Sequence, residues 1–220
     1  MARKPIGKVA MTATQYQQRW RAKKRRRAIF GSNLDPTARR PTPRREDFDF
    51  WPTPPELRVV LIKEVLPMLP PAPIWECAAG DGVLVDDLRA AGRAVIASDI
   101  NPQRRGIIGL DFVHDDPPAT TKGSILATNP PFGKSGLLDP FLARMMALLD
   151  GGWLSAAVLL LRADATATIG RTDLLNRAVY EWTSCWRQRW IPGTTGQPRW
   201  WFHWFAWLPS HAGPPVNKRL

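Results

Sequence analysis

The chain has 220 residues, 44% of them hydrophobic and 23% charged, which is enough to bury the core of one globular domain without disulfide bonds. Its two cysteines and three histidines exclude a disulfide framework and a zinc site built from these residue types. The sequence contains no apolar segment that could span a membrane and no signal-peptide segment. It therefore predicts a cytoplasmic protein that needs no metal.

The net charge of +12 is concentrated in residues 1–45, which we call the basic arm. The arm has 14 lysines and arginines and one acidic residue, Asp35, whereas residues 46–220 are close to neutral. Such a density of one charge is typical of polyanion binding, although a disordered solubilising tail or a transit peptide has a similar composition. The predicted phosphate-binding residues are Arg19, Arg21, Lys23, Lys24, Arg25, Arg26 and Arg27 in the arm and Lys134 outside it.

Residues 46–220 are predicted to form one domain, in which short apolar runs alternate with amphipathic segments. This alternation is typical of an α/β sheet. The predicted elements, in chain order, are a helix over 56–69, a strand at 74–75, a helix over 83–91, strands over 94–98, 107–110 and 124–128, a helix over 137–149 and a strand over 153–161. Polar or acidic residues end four of the strands, at the edge where open α/β sheets bind ligands.

The last third of the chain departs from this alternation. Strands are predicted over 184–191 and 199–208, joined by the loop 192–198, which together make a long hairpin. Seven of the eleven tryptophans lie between Trp182 and Trp207, and this enrichment indicates a sheet flank packed on both faces. Stacking of some of these rings on nucleobases is the alternative.

Two segments contain glycines in ligand-binding patterns. In Glu76–Gly82, two glycines separated by one residue link a strand to a helix, so the backbone can approach a ligand closely. The dinucleotide pattern requires a third glycine where this chain has Val85, which disfavours NAD. Asp99, after the next strand, could accept hydrogen bonds from both hydroxyls of a ribose; turn and capping roles are the alternatives. Gly133-Lys134-Ser135 resembles a phosphate-binding loop, but Thr128 replaces its first glycine, which excludes an NTPase.

The most specific motif is Asn129-Pro130-Pro131-Phe132, directly after the strand over 124–128. The two prolines fix the backbone and hold the Asn129 side chain and the Pro130 carbonyl at the sheet edge. Both groups are acceptors and can take the two hydrogens of one amino group, which helps to free the nitrogen lone pair for attack. Phe132 adds a flat apolar surface for a planar group, and a turn without a chemical role is the alternative.

Taken in order, these motifs resemble those of S-adenosylmethionine-dependent amino methyltransferases. The likeness is greatest to small phage- or prophage-type DNA N6-adenine methyltransferases, and it covers about residues 47–208. It rests on Glu76–Gly82, Asp99, Asp111-Phe112 and Asn129–Phe132, with Phe50–Pro54 as the upstream cofactor motif. Cys77 stands where a proline is common in this family.

The resemblance implies S-adenosylmethionine as the cofactor and assigns roles to particular residues. The implied cofactor-binding residues are Thr53, Glu76, Ala78, Gly80, Gly82, Asp99, Ile100, Asp111 and Phe112, and the implied catalytic residues are Asn129, Pro130, Pro131 and Phe132. The glycines would line the methionine end of the cofactor, with Thr53 supporting it. Asp99 would bind the ribose, and Asp111 would meet the adenine amino group, with Ile100 and Phe112 near its ring.

The predicted fold is therefore a Rossmann-like seven-stranded methyltransferase sheet closed by a C-terminal antiparallel hairpin and preceded by the basic arm. The predicted reaction is methylation of the N6 of adenine in DNA, on a base flipped out of the stack. RNA adenine or protein glutamine methylation and non-catalytic nucleic-acid binding are the alternatives, and the charge of the arm disfavours a protein substrate. The residues after Phe132 leave no room for a separate target-recognition domain, so any sequence specificity is expected to be short, lax or delegated to a partner.

Overall fold

The computed structural model describes residues 50–132, 136–167, 169–186, 190, 200–209, 211 and 213–220. The basic arm, Lys134 and the predicted loop 192–198 lie outside these residues. Phosphate binding by the arm and by Lys134, and the domain boundary near residue 45, therefore stay predictions. In the part of the chain that is described, no helix combines the length and apolar character needed to cross a membrane.

One mixed sheet organises the described residues. Its strands are β1 (Ile74–Glu76), β2 (Val95–Asp99), β3 (Ile108–Gly109), β4 (Ile125–Thr128), β5 (Ala156–Arg162), β6 (Tyr180–Thr183), β7 (Phe202–Trp207) and β8 (Val216–Arg219). Across the sheet their order is β3-β2-β1-β4-β5-β7-β6-β8. The first five strands pair in parallel, β7 is antiparallel to both β5 and β6, and β8 is parallel to β6. The strand order reverses at β1 and β4, which is where sheets of this type bind ligands.

Helices flank the sheet: the three predicted helices are found, and the two short helices after β5 were not predicted. They are α1 (Pro55–Val60), α2 (Val83–Ala90), α3 (Leu138–Asp150), α4 (Ala163–Thr166) and α5 (Thr172–Asn176), with 3-10 turns at Ala119–Thr121 and Ile169–Arg171. The helix predicted over 56–69 is helical to Met68, but it changes to a π turn at Leu61 and to a 3-10 turn at Leu66. Pro67 explains the last change, because it lacks the N–H that an α-helix would use there.

The core forms two layers because the central strands alternate their side chains. Ile125 and Ala127 of β4 face the layer that contains α1 and α2, and Leu126 faces the layer that contains α3. The strands β4 and β5 are buried along almost their whole length, as parallel strands covered on both faces require. This packing fixes the carboxyl ends of the strands in space.

The predicted number of seven strands is wrong, since the described residues form eight. The additional strand, β8, has four exposed residues and pairs with β6 from Tyr180 opposite Val216. Because it buries no side-chain face, it has no hydrophobic alternation by which the sequence could have revealed it. Backbone pairing holds it at the edge of the sheet.

The predicted first arm of the hairpin is also misplaced. The strand expected over 184–191 lies earlier, at Tyr180–Thr183, and residues 184–186 are not in a strand. The Ser184 hydroxyl instead donates to the Phe202 carbonyl, and Cys185 N–H donates to the Leu220 carbonyl.

Candidate active site

The candidate site lies at the carboxyl ends of four adjacent strands. Asp99 ends β2, Glu76 ends β1, Thr128 ends β4 and Arg162 ends β5. Asn129 directly follows β4 at the point where the strand order reverses. The sheet therefore brings together residues that are separated by up to 86 positions in the sequence.

The turn after β1 adopts a backbone that favours glycine at two positions. Gly80 has φ of 52° and Gly82 has φ of 82°, both in the left-handed region. Gly82 caps the N-terminus of α2, and its N–H donates to the Ala79 carbonyl at 2.7 Å. The predicted glycine turn is thus formed.

Space at both glycines is limited by a side chain from elsewhere. A Cβ on Gly80 would lie 2.3 Å from Phe50 Cε2, and one on Gly82 would lie 2.5 Å from Arg104 Nε. The Arg104 guanidinium is held in place by two hydrogen bonds of 2.6 Å to Asp86, in the first turn of α2. Neither contact has a signal in the sequence, because each joins segments that no local pattern relates.

Asp99 connects the glycine turn to the end of β2. Its Oδ2 accepts a hydrogen bond of 2.7 Å from Gly80 N–H, and its Oδ1 accepts one of 2.6 Å from Asn101 N–H. Burial raises the pKa of the Asp99 carboxyl above its ordinary value, although these two hydrogen bonds act in the opposite direction. A carboxylate has about four acceptor sites, so two remain for the hydroxyls of a ribose.

Glu76 is buried between β1 and β4. Thr128 Oγ1 donates a short hydrogen bond to its Oε1, and Ala78 N–H donates a second, at 3.0 Å. Burial raises the pKa of the Glu76 carboxyl to about 8, so that the group is largely protonated at neutral pH. Glu76 therefore acts as a neutral crosslink between two strand ends, and burial likewise raises the pKa of the neighbouring Cys77 thiol.

Asn129 has one half of its side-chain amide satisfied and the other half without a partner. Its Nδ2 donates to the Trp51 carbonyl at 2.9 Å, and because a carbonyl can only accept, this contact fixes which end of the amide is nitrogen. The opposite atom, Oδ1, is buried and has no hydrogen-bond donor among the described residues. An unsatisfied buried acceptor costs about 1–3 kcal/mol, and such groups in native proteins call for an explanation.

The rest of the Asn129 motif forms an aromatic wall. Pro130 is buried, and Pro131 and Phe132 are half-buried. The Phe132 ring packs edge-to-face on Phe202 of β7, with ring centroids 5.8 Å apart. The side chain of Phe132 is therefore held against the sheet and keeps part of its surface accessible.

A cavity of about 230 Å³ lies next to Phe132. Two ion pairs contribute to its lining, Arg162 with Asp164 at 2.5 Å and Arg171 with Asp139 at 2.7 Å. Sequence reasoning missed all four residues. The end of β5 was a signal for Arg162, since it lies at the same edge as the other strand ends, whereas Arg171 reaches the cavity through tertiary packing alone.

The remaining predicted cofactor residues occupy different environments. Asp111 is buried, with Oδ2 at 2.9 Å from His114 Nδ1 and Oδ1 accepting from Val113 N–H. Phe112 is packed in the core, 4.3 Å from the Phe141 ring centroid. By contrast, 44% of Ile100 is exposed. Their roles around an adenine ring stay predictions.

Thr53, which precedes α1, is buried, and its carbonyl accepts a hydrogen bond of 2.6 Å from Arg58 Nη1. Ala78 is half-buried and donates its N–H to Glu76. Glu76 and Asp99 thus lie at the same edge of the sheet as the Asn129 motif, with Ala78, Gly80 and Gly82 in the turn that follows β1. No cluster of three or more potential metal ligands occurs among the residues that the structure describes.

The fold is similar to that of solved methyltransferase structures. A protein described as a candidate RNA methyltransferase, from Pyrococcus horikoshii, aligns with 88% of this chain and all of its own, with a TM-score of 0.55 and 16% identity. The 23S rRNA methyltransferase ErmE aligns with 74% of this chain and 71% of its own, with a TM-score of 0.46 and 15% identity. At such identities the likeness establishes the fold alone, and this conclusion rests on the first alignment, with its TM-score of 0.55.

A modification subunit assigned to a type I restriction enzyme of Vibrio vulnificus has a TM-score of 0.47 and 12% identity over 96% of this chain. This chain spans about half of that subunit, 53% of its length. The sequence matches no protein-family model and no curated protein. The chain thus has the methyltransferase fold, with a glycine turn after β1, an acidic residue at the end of β2 and the Asn129 motif after β4, where the strand order reverses.

Proposed function

We propose that this protein transfers a methyl group from S-adenosylmethionine to the N6 amino group of adenine in DNA. The observation that carries the proposal is the buried Oδ1 of Asn129, an acceptor without a donor at the edge where the sheet order reverses. An amino group would supply the missing donor. The other half of the amide is already bonded to the Trp51 carbonyl, which supports Oδ1 as the atom that faces the substrate.

The residues of the glycine turn fit the proposed cofactor. Gly80 and Gly82 offer backbone without side chains, and Asp99 keeps acceptor capacity for two ribose hydroxyls. When bound, S-adenosylmethionine supplies an electrophilic methyl group on a sulfonium. The protein's part is to hold this group in line with the nitrogen that attacks it.

The chemistry at Asn129 follows from the electronics of an aromatic amine. Its lone pair is delocalised into the ring, and hydrogen bonds from its two N–H groups to Asn129 Oδ1 and the Pro130 carbonyl help to free that pair. The amine held in this way would be the nucleophile for the methyl group that the bound cofactor supplies, and its surplus proton would pass to solvent. Glu76, neutral and bonded to Thr128, stabilises the strand end from which Asn129 projects.

The surroundings of Phe132 support a nucleobase as the substrate. The cavity of about 230 Å³ beside this ring is smaller than the 300–1,000 Å³ pockets of drug-sized ligands. At its rim the Arg162 guanidinium lies 4.6 Å from the Trp200 ring centroid, and 42% of Trp200 is exposed. Arginine and exposed tryptophan are residues on which bases stack.

The charge of the chain supports a nucleic acid over a protein substrate. The basic arm carries 14 lysines and arginines, which a glutamine-containing loop would not use. The choice of DNA over RNA rests on the resemblance of the motifs to DNA N6-adenine methyltransferases. The proposed substrate is therefore a flipped adenine in a strand whose phosphates contact the arm.

The test is to incubate the protein with cofactor labelled in its methyl group and with separate pools of DNA, RNA and protein. The proposal predicts label in DNA. Label in RNA or in protein glutamine would establish one of the two other substrates, and no label with demonstrated nucleic-acid binding would indicate a binding protein. If no pool is labelled, calorimetry with S-adenosylmethionine distinguishes two cases. An enzyme whose substrate is missing from the pools should bind the cofactor, whereas a non-catalytic nucleic-acid-binding protein should not.

A further inference from the structure

A short segment before α1 contacts both halves of the candidate site. We call Phe50–Thr53 the strap. The Phe50 ring lies against Gly80, so closely that a Cβ there would be 2.3 Å from it, and the next residue, Trp51, accepts the Asn129 hydrogen bond on its carbonyl. Adjacent Cα atoms are about 3.8 Å apart, so the two contacts cannot move independently over any large distance.

The far end of the strap is anchored to the helix that follows the glycine turn. The Thr53 carbonyl accepts from Arg58 Nη1, and Arg58 Nε donates to Asp87 Oδ2 of α2, both at 2.6 Å. Thr53 is buried, with 4% of its surface exposed. This anchor leaves Phe50 and Trp51 on the side of the strap that faces the site.

At the glycine turn, the Phe50 ring covers the side of Gly80 on which a Cβ would lie. The Gly80 N–H is bonded to Asp99, and the Gly80 carbonyl accepts from Gln103 N–H at 3.1 Å. A ligand that approaches Gly80 closely therefore meets the Phe50 ring. Its arrival must displace the ring or pack against it.

At Asn129, the strap restrains the amide whose acceptor the substrate needs. Oδ1 is buried, so a substrate amine can reach it only after a neighbouring group moves. Trp51 is bonded to the other end of the same amide. Rotation of the amide by half a turn would present Nδ2 in place of Oδ1, and Nδ2 cannot accept a hydrogen bond.

We propose that the strap couples the two halves of the site: occupation of the glycine turn shifts Phe50, and the Trp51 carbonyl transmits the shift to Asn129, so that Oδ1 becomes available to the substrate amine. This inference rests on the proposed function. Phe50 and Trp51 are positioning residues in it, since they act through Asn129. The coupling is reciprocal, so that substrate at Asn129 strengthens ligand binding at the glycine turn by the same factor.

The first test observes Asn129 directly and needs no nucleic acid. The side-chain amide signal of Asn129 in a nitrogen–proton NMR spectrum is assigned by its loss in Asn129→Ala and followed while S-adenosylhomocysteine is added. The wild-type signal is expected to shift. In Phe50→Ala it should no longer respond at saturating S-adenosylhomocysteine, and in Phe50→Tyr, which keeps the ring, the response should return. Phe50→Leu replaces Phe50→Ala if the latter does not fold.

The second test measures the coupling as a ratio of affinities. S-adenosylhomocysteine is expected to tighten wild-type binding of an adenine-containing DNA oligonucleotide by fivefold or more, the lower end of typical couplings. In Phe50→Ala the factor should fall to within about twofold of one. If Phe50 were merely structural, Phe50→Ala would weaken oligonucleotide binding both with and without S-adenosylhomocysteine. The ratio of the two affinities would then equal that of the wild type.

The outcomes separate the two proposals. If S-adenosylhomocysteine fails to bind the wild-type protein, the proposed function falls and the coupling falls with it. If it binds and the Asn129 signal responds equally in wild type and Phe50→Ala, the coupling is wrong while the proposed function stands. Binding of the oligonucleotide with no dependence on S-adenosylhomocysteine would also overturn the coupling alone.

Discussion

The Thr128 hydroxyl donates a hydrogen bond to Glu76 Oε1 and so joins the carboxyl ends of β4 and β1 one residue before Asn129. The bond crosses the point at which the strand order of the sheet reverses. This hydrogen bond is buried, since Glu76 is 1% exposed and Thr128 is fully buried. The protonation of Glu76 therefore bears on the stability of the fold at the edge where the strand order reverses.

This pair predicts a pH dependence of folding. The pKa of Glu76 rises from 4.5 to about 8 on folding because of burial, so the folded protein binds the proton more tightly than the unfolded chain. The contribution of the protonated Glu76 carboxyl to the free energy of unfolding is complete below pH 4.5 and is lost as the pH rises towards 8. The free energy of unfolding should fall by at most about 1.4 kcal/mol per pH unit in this range. Glu76→Gln keeps an Oε1 acceptor and removes the titration.

Urea unfolding across this pH range measures the effect. We expect the free energy of unfolding to fall with pH in the wild type and to be flatter in Glu76→Gln. Thr128→Val removes a hydrogen bond that lowers the pKa of Glu76, so the pKa should be higher in this variant. The fall of its free energy of unfolding should therefore extend to higher pH than in the wild type. Parallel profiles in the wild type and Glu76→Gln would show that Glu76 does not titrate in this window.

Asp99 is expected to serve both the fold and the ligand. In Asp99→Ala the N–H groups of Gly80 and Asn101 lose their acceptors, which should lower the free energy of unfolding by about 1–3 kcal/mol for each group left buried and unsatisfied. Loss of two charge-assisted hydrogen bonds to a ribose should also weaken S-adenosylmethionine binding. Calorimetry on Asp99→Ala under folding conditions checks this, and unchanged affinity would leave Asp99 only its capping role.

Two glycines provide a matched test of the contact between the strap and the glycine turn. Gly80 and Gly92 both have positive φ, 52° and 79°, but a Cβ on Gly92 would meet nothing within 4 Å. Gly92→Ala should therefore cost only the backbone term of about 1–2 kcal/mol. Gly80→Ala should cost more, because its methyl group would clash with the Phe50 ring.

A double-mutant cycle isolates that contact. Combining Gly80→Ala with Phe50→Ala should recover the excess cost, whereas combining Gly92→Ala with Phe50→Ala should be additive. Of the two glycine variants, Gly80→Ala alone should weaken S-adenosylhomocysteine binding. Additivity in both cycles would contradict the contact of the Phe50 ring with Gly80.

Sequence reasoning located the residues that stand at the ends of predicted strands. The glycine turn follows β1, Asp99 ends β2 and Asn129 follows β4, and parallel strands place these carboxyl ends at one edge. Contacts between distant segments had no such signal. The Phe50 ring on Gly80, the Trp51 carbonyl at Asn129 and the guanidinium of Arg104 on Gly82 each depend on tertiary packing.

The edge of the sheet was harder to predict than its centre for a related reason. Central strands such as β5 are buried and therefore have long apolar runs that can be recognised in the sequence. The four residues of β8 are exposed and are held by backbone pairing, which leaves no pattern in the sequence. Phe112 shows the same limit within the predicted site. The resemblance implied a place near the adenine ring of the cofactor for Phe112, and no sequence pattern indicated that its ring packs against Trp75 and Phe141 in the core.

The basic arm is expected to supply affinity for nucleic acid without sequence preference. Deleting residues 1–45 removes 14 basic side chains. If about seven of them contact phosphates, the slope of log affinity against log salt should fall by roughly six on duplex DNA. S-adenosylmethionine binding should not change, because the predicted cofactor residues all lie after the arm. An identical salt slope in the truncated protein would show that the arm does not contact phosphates.

The central claim is that Asn129 activates the adenine amino group. The most direct measurement uses S-adenosylmethionine with a deuterated methyl group, adenine-containing DNA, and mass spectrometry of the nucleosides released from the product. Wild-type protein should yield deuterated N6-methyldeoxyadenosine. Asn129→Ala should yield none while its S-adenosylmethionine affinity stays within about tenfold, or roughly 1.4 kcal/mol, of the wild type. Turnover retained in Asn129→Ala, or label found only on another atom or another class of molecule, would contradict the account.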